Sequence, residues 1–276
     1  MKLFTYGDSW TEGQGVNPQQ EDGFQTREER KKYRNDRSWP IKLSKLLNCE
    51  CVNQSISGVG NNFIFNKVIL DIKSEIVKPS DFIIIMWSSS LRDDVPFFPN
   101  GEWHAWGDNY ISETNKKKWF VFNEKVFTNN PSYNQFLIKF KEFYIDELYY
   151  QNYYNIVNQN YIIFLQKLFE YYQINYLFCD AFDKMVDGIS NAFDKTHIIN
   201  KYNYWGFGEK TFKDYLVSTN NKMVWENPQY NILEIPGMHP SELGYKLISE
   251  ELYLYIESRP DLLSFKNKFY NNKKIL

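Results

Sequence analysis

The feature that most constrains the fold is the run Phe82-Ile83-Ile84-Ile85-Met86-Trp87, six consecutive apolar residues between a Pro-Ser turn with Asp81 and a Ser-Ser-Ser stretch. A strand with one face in water alternates apolar and polar residues. An unbroken run of this length instead predicts a strand covered on both faces, as in the middle of a parallel sheet. Shorter β-prone runs fit beside it: Lys2 to Tyr6, ended by Gly7-Asp8-Ser9; Cys51-Val52-Asn53, ended by Ser57-Gly58-Val59-Gly60; and Tyr176-Leu177-Phe178-Cys179. Helical spacing separates them. Trp39, Leu43, Leu46 and Leu47 form one apolar stripe, with Pro40 tolerated in the first turn. Ile64, Val68, Ile72 and Ile76 form another, which Pro79 stops. Phe136, Phe140 and Phe143, followed by Ile156, Ile163, Leu165 and Leu168, predict one or two long helices over 134–172, and Leu243, Leu247, Ile248, Leu252 and Tyr255 predict a last one. This alternation argues for an α/β protein, a three-layer α/β/α sandwich around a central parallel sheet.

The 276 residues are expected to form a single domain. Two stretches, 93–131 and 183–231, lack a clean period and are rich in aromatic and polar residues; they are read as an insertion and a long loop region. Both follow the carboxyl ends of strands, where α/β proteins build their sites. With 32 Lys and Arg against 34 Asp and Glu, the chain has no basic footprint for nucleic acid. Arg30-Lys31-Lys32 and Lys116-Lys117-Lys118 read as solvated faces. Three cysteines, Cys49, Cys51 and Cys179, cannot build a disulfide framework and have no zinc-ligand spacing. No run reaches the roughly 18 apolar residues of a membrane span, and no signal peptide opens the chain, so a cytoplasmic location is expected. No phosphate-binding or dinucleotide-binding glycine pattern follows any strand, and neither a cofactor nor a metal is expected.

Two short blocks carry chemistry. Gly7-Asp8-Ser9-Trp10-Thr11-Glu12-Gly13 puts a serine hydroxyl just past the first strand, in a turn bounded by glycines. A serine nucleophile needs a base, and the chain has three histidines. His104 falls in the insertion and His197 in a polar loop. His239, in Gly237-Met238-His239-Pro240-Ser241-Glu242, immediately precedes the last helix, with Pro240 expected at or near its first turn. A base projecting from a loop on a rigid support suits general-base work.

These blocks resemble those of the SGNH, or GDSL-type, hydrolases. The first block is similar to theirs, Asn53-Gln54-Ser55-Ile56-Ser57-Gly58 is similar to the second, and Gly237-Met238-His239-Pro240 with Gly244-Tyr245 resembles the last. All three stand in order across nearly the whole chain. The resemblance implies a flavodoxin-like sandwich in which Ser9 is the nucleophile, His239 its base, and the amides of Ser9 and Gly58 donors to the oxyanion. Two positions depart from the pattern. Where the family has an asparagine after the central strand, this chain has Ser88 or Ser89, with Asn61 and Asn62 near enough to stand in. Where the family has an aspartate three residues before the histidine, this chain has Pro236. Glu234 is the nearest carboxylate, with Asp180 and Asp183 as alternatives, or a Ser-His dyad held by a backbone carbonyl.

The resemblance implies hydrolysis of a small acyl ester through a covalent acyl-enzyme, with a small-molecule or glycan ester, such as a carbohydrate O-acetyl group, as substrate. Trp103, Trp106, Trp119, Trp205 and Trp225 are candidate sugar-stacking residues. An acyltransferase on the same site, or a binding or structural module that kept the fold, are the alternatives. The abundance of Tyr, Phe, Asn, Lys and Ile fits an AT-rich, viral source, with host cytoplasm or the virion as location.

Overall fold

The structure is a computed structural model; it describes residues 1–17, 23–89, 93–96, 119–122, 151–186, 195–226 and 239–263. Among the described residues four parallel strands form the central sheet: β1 (Lys2–Tyr6), β2 (Glu50–Asn53), β3 (Phe82–Trp87) and, numbered in chain order, β6 (Asn175–Asp180). Their spatial order is β2-β1-β3-β6, with Leu3 beside Phe82, Tyr6 beside Ile85, and Trp87 beside Asp180. The chain leaves β1 toward one edge to make β2, then crosses back to make β3. The loops after β1 and β3 therefore diverge at the carboxyl edge, and a crevice at such a switch point is where ligands bind in open α/β sheets.

The unbroken apolar run behaves as its composition demands. Phe82, Ile84 and Met86 enter one core, Ile83, Ile85 and Trp87 the other, and all six are fully buried. On the first face lie α3 (Trp39–Leu46), α6 (Phe212–Ser218) and α7 (Glu242–Glu257), through Trp39, Leu43, Phe212, Leu216, Tyr245, Ile248, Leu252 and Ile256. On the second lie α4 (Asn61–Lys73) and α5 (Gln151–Tyr172), through Ile64, Val68, Ile72, Ile162, Leu165 and Phe169. This is the expected α/β/α sandwich with a parallel sheet. Each buried aliphatic or aromatic side chain contributes about 1.5–3 kcal/mol, so β3 anchors both layers.

Several details differ from the periodicity reading. α4 ends at Lys73, and Ile76 is exposed beyond it. The buried stripe of α5 runs Ile162, Leu165, Phe169 rather than Ile163 and Leu168, because Phe169 packs on Tyr176 and Phe178 of β6. The part of the expected 134–172 helix before Gln151 lies outside the described residues. Within the stretch read as an irregular insertion, β4 (Asp93–Pro96) and β5 (Trp119–Phe122) pair antiparallel, separately from the main sheet.

The stretch read as a long loop is partly core. It carries short 3-10 turns at Thr196–Ile198, Lys201–Asn203 and Lys222–Val224 as well as α6, and Tyr204 forms a parallel bridge with Phe178 of β6. Trp205 is fully buried, stacked on Phe212 at 3.9 Å and donating its indole N–H to Glu251. Trp225 is also buried. These two tryptophans hold the fold and are not exposed for sugar stacking. Trp103 and Trp106 lie outside the described residues, and of Trp119 only the backbone is described.

A helix was also not expected before Trp39. α2 (Arg27–Arg37) spans Arg30-Lys31-Lys32, read above only as a solvated face. A reciprocal capping box starts it: Glu29 N–H donates to the Thr26 hydroxyl at 3.2 Å, and Thr26 N–H donates to the Glu29 carboxylate at 3.1 Å. Glu28 and Glu29 in the first turn and Arg34 and Arg37 in the last complement the helix dipole.

Candidate active site

β1 runs directly into α1 (Ser9–Glu12), a single helical turn at the carboxyl edge of the sheet. Asp8 caps it, its carboxylate accepting the Trp10 N–H at 3.0 Å, so Ser9 is the first residue of the turn. Ser9 is almost wholly buried, and the ring of the next residue, Trp10, meets Phe182 edge-on at 4.7 Å and Trp225 at 5.9 Å.

His239 reaches this turn from the far end of the chain. Its Nε2 lies 3.0 Å from Ser9 Oγ, and its Nδ1 lies 3.3 Å from Glu226 Oε1. The same Glu226 oxygen accepts the His239 backbone N–H at 3.0 Å. Burial works against the Glu226 carboxylate, but the hydrogen bonds and charge of His239, with the Arg34 guanidinium, hold its pKa below the usual value. An ionised carboxylate only accepts, so the ring proton belongs on Nδ1 and Nε2 is left to accept from the Ser9 hydroxyl.

Glu226 was not among the expected residues. Its position follows from the backbone. Trp225 and Pro240 form an antiparallel bridge, flanked by Glu226 N–H to His239 O at 3.0 Å and Ser241 N–H to Val224 O at 2.8 Å. Two chain segments thirteen residues apart are thereby clamped with Glu226 directly opposite His239, one rung beyond the Trp225–Pro240 pair. Pro240 stands immediately before Ser241, the N-cap of α7, whose hydroxyl accepts the Gly244 N–H. No periodicity marks Glu226, and only the pairing of its segment with the histidine block could have revealed it. Glu234 lies outside the described residues. Asp180 and Asp183 are placed elsewhere. Asp180 accepts the Tyr204 hydroxyl at 2.6 Å and the Met185 N–H at 3.2 Å, and burial pushes its pKa up to about 7. Asp183 accepts the hydroxyl of Ser89. Of the other histidines, His197 is exposed in a 3-10 turn and His104 is outside the described residues.

The second block forms the loop after β2, next to α1. Gly58 adopts a left-handed φ of 84°. Among the described residues the amides of Ser9 and Gly58 have no acceptor. The side chains expected to supply a third donor are engaged differently. The Ser88 hydroxyl donates to Asp8 at 2.7 Å, and that of Ser89 to Asp183. Asn61, buried at the start of α4, accepts the Ser88 N–H at 2.8 Å and donates to the Ser88 and Ser89 carbonyls at 3.3 Å, so it braces the loop after β3. The Asn62 side-chain oxygen accepts from Asn66 at 2.8 Å and from the Tyr161 hydroxyl at 3.3 Å, on the α4–α5 side. Among the described residues no group of three or more His, Cys, Asp or Glu side chains is arranged to hold a metal ion.

Fold and site together define an α/β protein with a serine, a histidine and a glutamate in hydrogen-bonding sequence at the carboxyl edge of a parallel sheet. Comparison with protein-family models and with curated proteins finds no match. Comparison with solved structures finds a protein described as lipolytic, of the G-D-S-L family, from Desulfitobacterium hafniense, 14% identical over 92% of this chain and 98% of that one, with a TM-score of 0.39. A member of the lipolytic G-D-S-L family from Veillonella parvula is 12% identical over 94% and 99%, with a TM-score of 0.43. An acetyl xylan esterase is 12% identical over 93% and 100%, with a TM-score of 0.43.

Proposed function

We propose that the protein is a serine esterase working through a covalent acyl-enzyme. The observation that carries this reading is the continuous path from Ser9 Oγ to His239 Nε2 at 3.0 Å, and from Nδ1 to Glu226 at 3.3 Å. His239 takes the Ser9 proton as Oγ adds to the acyl carbonyl, and the Ser9 and Gly58 amides take the oxyanion. The imidazolium, oriented and stabilised by Glu226, then protonates the leaving alkoxide. Water, deprotonated by the same imidazole, adds to the acyl-serine; collapse of that adduct frees the acid and returns the proton to Ser9. A small acyl ester is the substrate class, with a carbohydrate O-acetyl group the first to test, as the block resemblance implies.

A second reading, a binding module on the same fold, is favoured by one observation: the Ser88 and Ser89 hydroxyls both donate to carboxylates. A site with one donor fewer typically loses on the order of 3 kcal/mol of transition-state stabilisation, about 100-fold in rate. A fluorophosphonate separates the two readings. It is expected to label Ser9, with labelling lost in Ser9→Ala and strongly reduced in His239→Ala. No adduct on the wild-type protein, together with no turnover of short-chain nitrophenyl esters, would leave the binding module. Product analysis with and without a glycan acceptor distinguishes hydrolysis from acyl transfer.

A further inference from the structure

Glu12 stands on the same turn as Ser9 and is 4% exposed, yet the mechanism above does not use it. One of its carboxylate oxygens accepts the Ser57 N–H at 2.6 Å, a short, charge-assisted bond. The other lies 3.5 Å from the Arg34 guanidinium of α2. Ser57 immediately precedes Gly58. The second-block loop is already tied to the first block upstream of this point: Gln54 N–H donates to Thr5 O at 2.9 Å, Ile56 N–H to Gly7 O at 3.2 Å, and the Asn53 side chain to Thr11 O at 2.9 Å. Glu12 therefore adds control over the last residue before Gly58 rather than over the loop as a whole.

We propose that Glu12 is a positioning residue: from the nucleophile's own turn it holds the Ser57 amide, and so directs the Gly58 N–H at the acyl oxygen. The inference rests on the esterase reading. It explains how a site whose Ser88 and Ser89 hydroxyls are committed elsewhere keeps its two backbone donors aligned. Preorganised donors stabilise the transition state because they need no reorientation as charge develops. Arg34 has a second part in it. An unpaired carboxylate beside a developing oxyanion would oppose the reaction, and the guanidinium neutralises it.

The test compares wild type, Glu12→Gln and Glu12→Ala on a short-chain nitrophenyl ester, each below its own unfolding temperature. In Glu12→Ala, kcat is expected to fall about 100-fold, the usual cost of a misplaced oxyanion donor, with KM within about twofold of wild type. In Glu12→Gln the neutral amide oxygen still accepts, and the fall is about tenfold. If Glu12→Ala does not fold, Glu12→Gln decides alone. A kcat within about threefold of wild type, or a loss carried by KM, overturns the proposal. The Ser57 amide proton, followed by NMR, needs no turnover: it should resonate far downfield in wild type and move upfield in Glu12→Gln, and an unmoved resonance also overturns the proposal. Failure of wild type to label at Ser9 counts instead against the esterase reading, so the two failures are distinguishable.

Discussion

Glu226 makes three separate commitments: to the His239 ring, to the His239 backbone, and electrostatically to Arg34. A residue so placed fixes tautomer and orientation together, so Glu226→Ala is expected to lower kcat by about 10³–10⁴-fold, as removal of the orienting acid typically does. Steady-state rates on a nitrophenyl ester, measured beside Ser9→Ala, check it. The same contacts leave a mark on stability. Glu226 has a folded pKa below its ordinary 4.5, so the unfolded chain binds its proton first as pH falls. Its stabilisation is present above about 4.5 and is lost as pH drops through the lower folded value. Glu226→Gln should therefore show a shallower acid-side loss of stability than wild type in denaturant titrations. At this scale the sequence was partly legible. Ser9 and His239 stand out because each sits in a short block with its own glycine or proline grammar. Glu226 does not, since nothing in Val224-Trp225-Glu226 says that this segment will pair with the histidine block.

At the scale of elements, the turn following α1 is under tight packing. Gly15 has a φ of 91°, and a Cβ there would stand 2.5 Å from His239 Cβ and 2.9 Å from a Glu226 carboxylate oxygen. Any side chain would push on the base and its acid at once, and the backbone conformation itself disfavours one. Gly15→Ala is expected to reduce kcat by at least about 100-fold, since even a 1 Å misplacement costs that much. Far-ultraviolet circular dichroism of the same sample should stay close to wild type, and an active variant would refute the argument. The Tyr245 hydroxyl, which donates to Gln14 O at 2.6 Å, holds this turn against α7. Elements were the most readable level: apolar runs and fourfold spacings located the strands and most helices. α2 escaped because most of its residues are charged and leave no apolar stripe, although Thr26-Arg27-Glu28-Glu29 carries a capping-box signature. The core role of Trp205 and Trp225 was not legible because their segments have no period to mark an inward face, although each is packed in the core.

For the whole molecule, covering the sheet on both faces takes its ionisable groups out of water, and the Asp180 carboxyl is the acid on which this tells. Asp180 ends β6, fully buried, and burial raises its pKa from 3.8 to about 7 despite the bonds from Tyr204 and Met185. This is the reverse of the Glu226 case. Between those two values the folded protein keeps a proton that the unfolded chain releases, so this group makes stability fall as pH rises toward about 7 and then level off. Asp180→Asn should flatten that slope, which urea titrations between pH 5 and 8 would reveal; a parallel pH dependence in both proteins would contradict the assignment.

The rung that pairs Trp225 with Pro240 has an evolutionary consequence. Acid and base are stapled to each other by main-chain bonds, which side-chain changes other than to proline leave in place. Drift in the two segments can then change side chains while base and acid remain opposite one another, so the main chain, more than any short motif, is what keeps this chemistry in place.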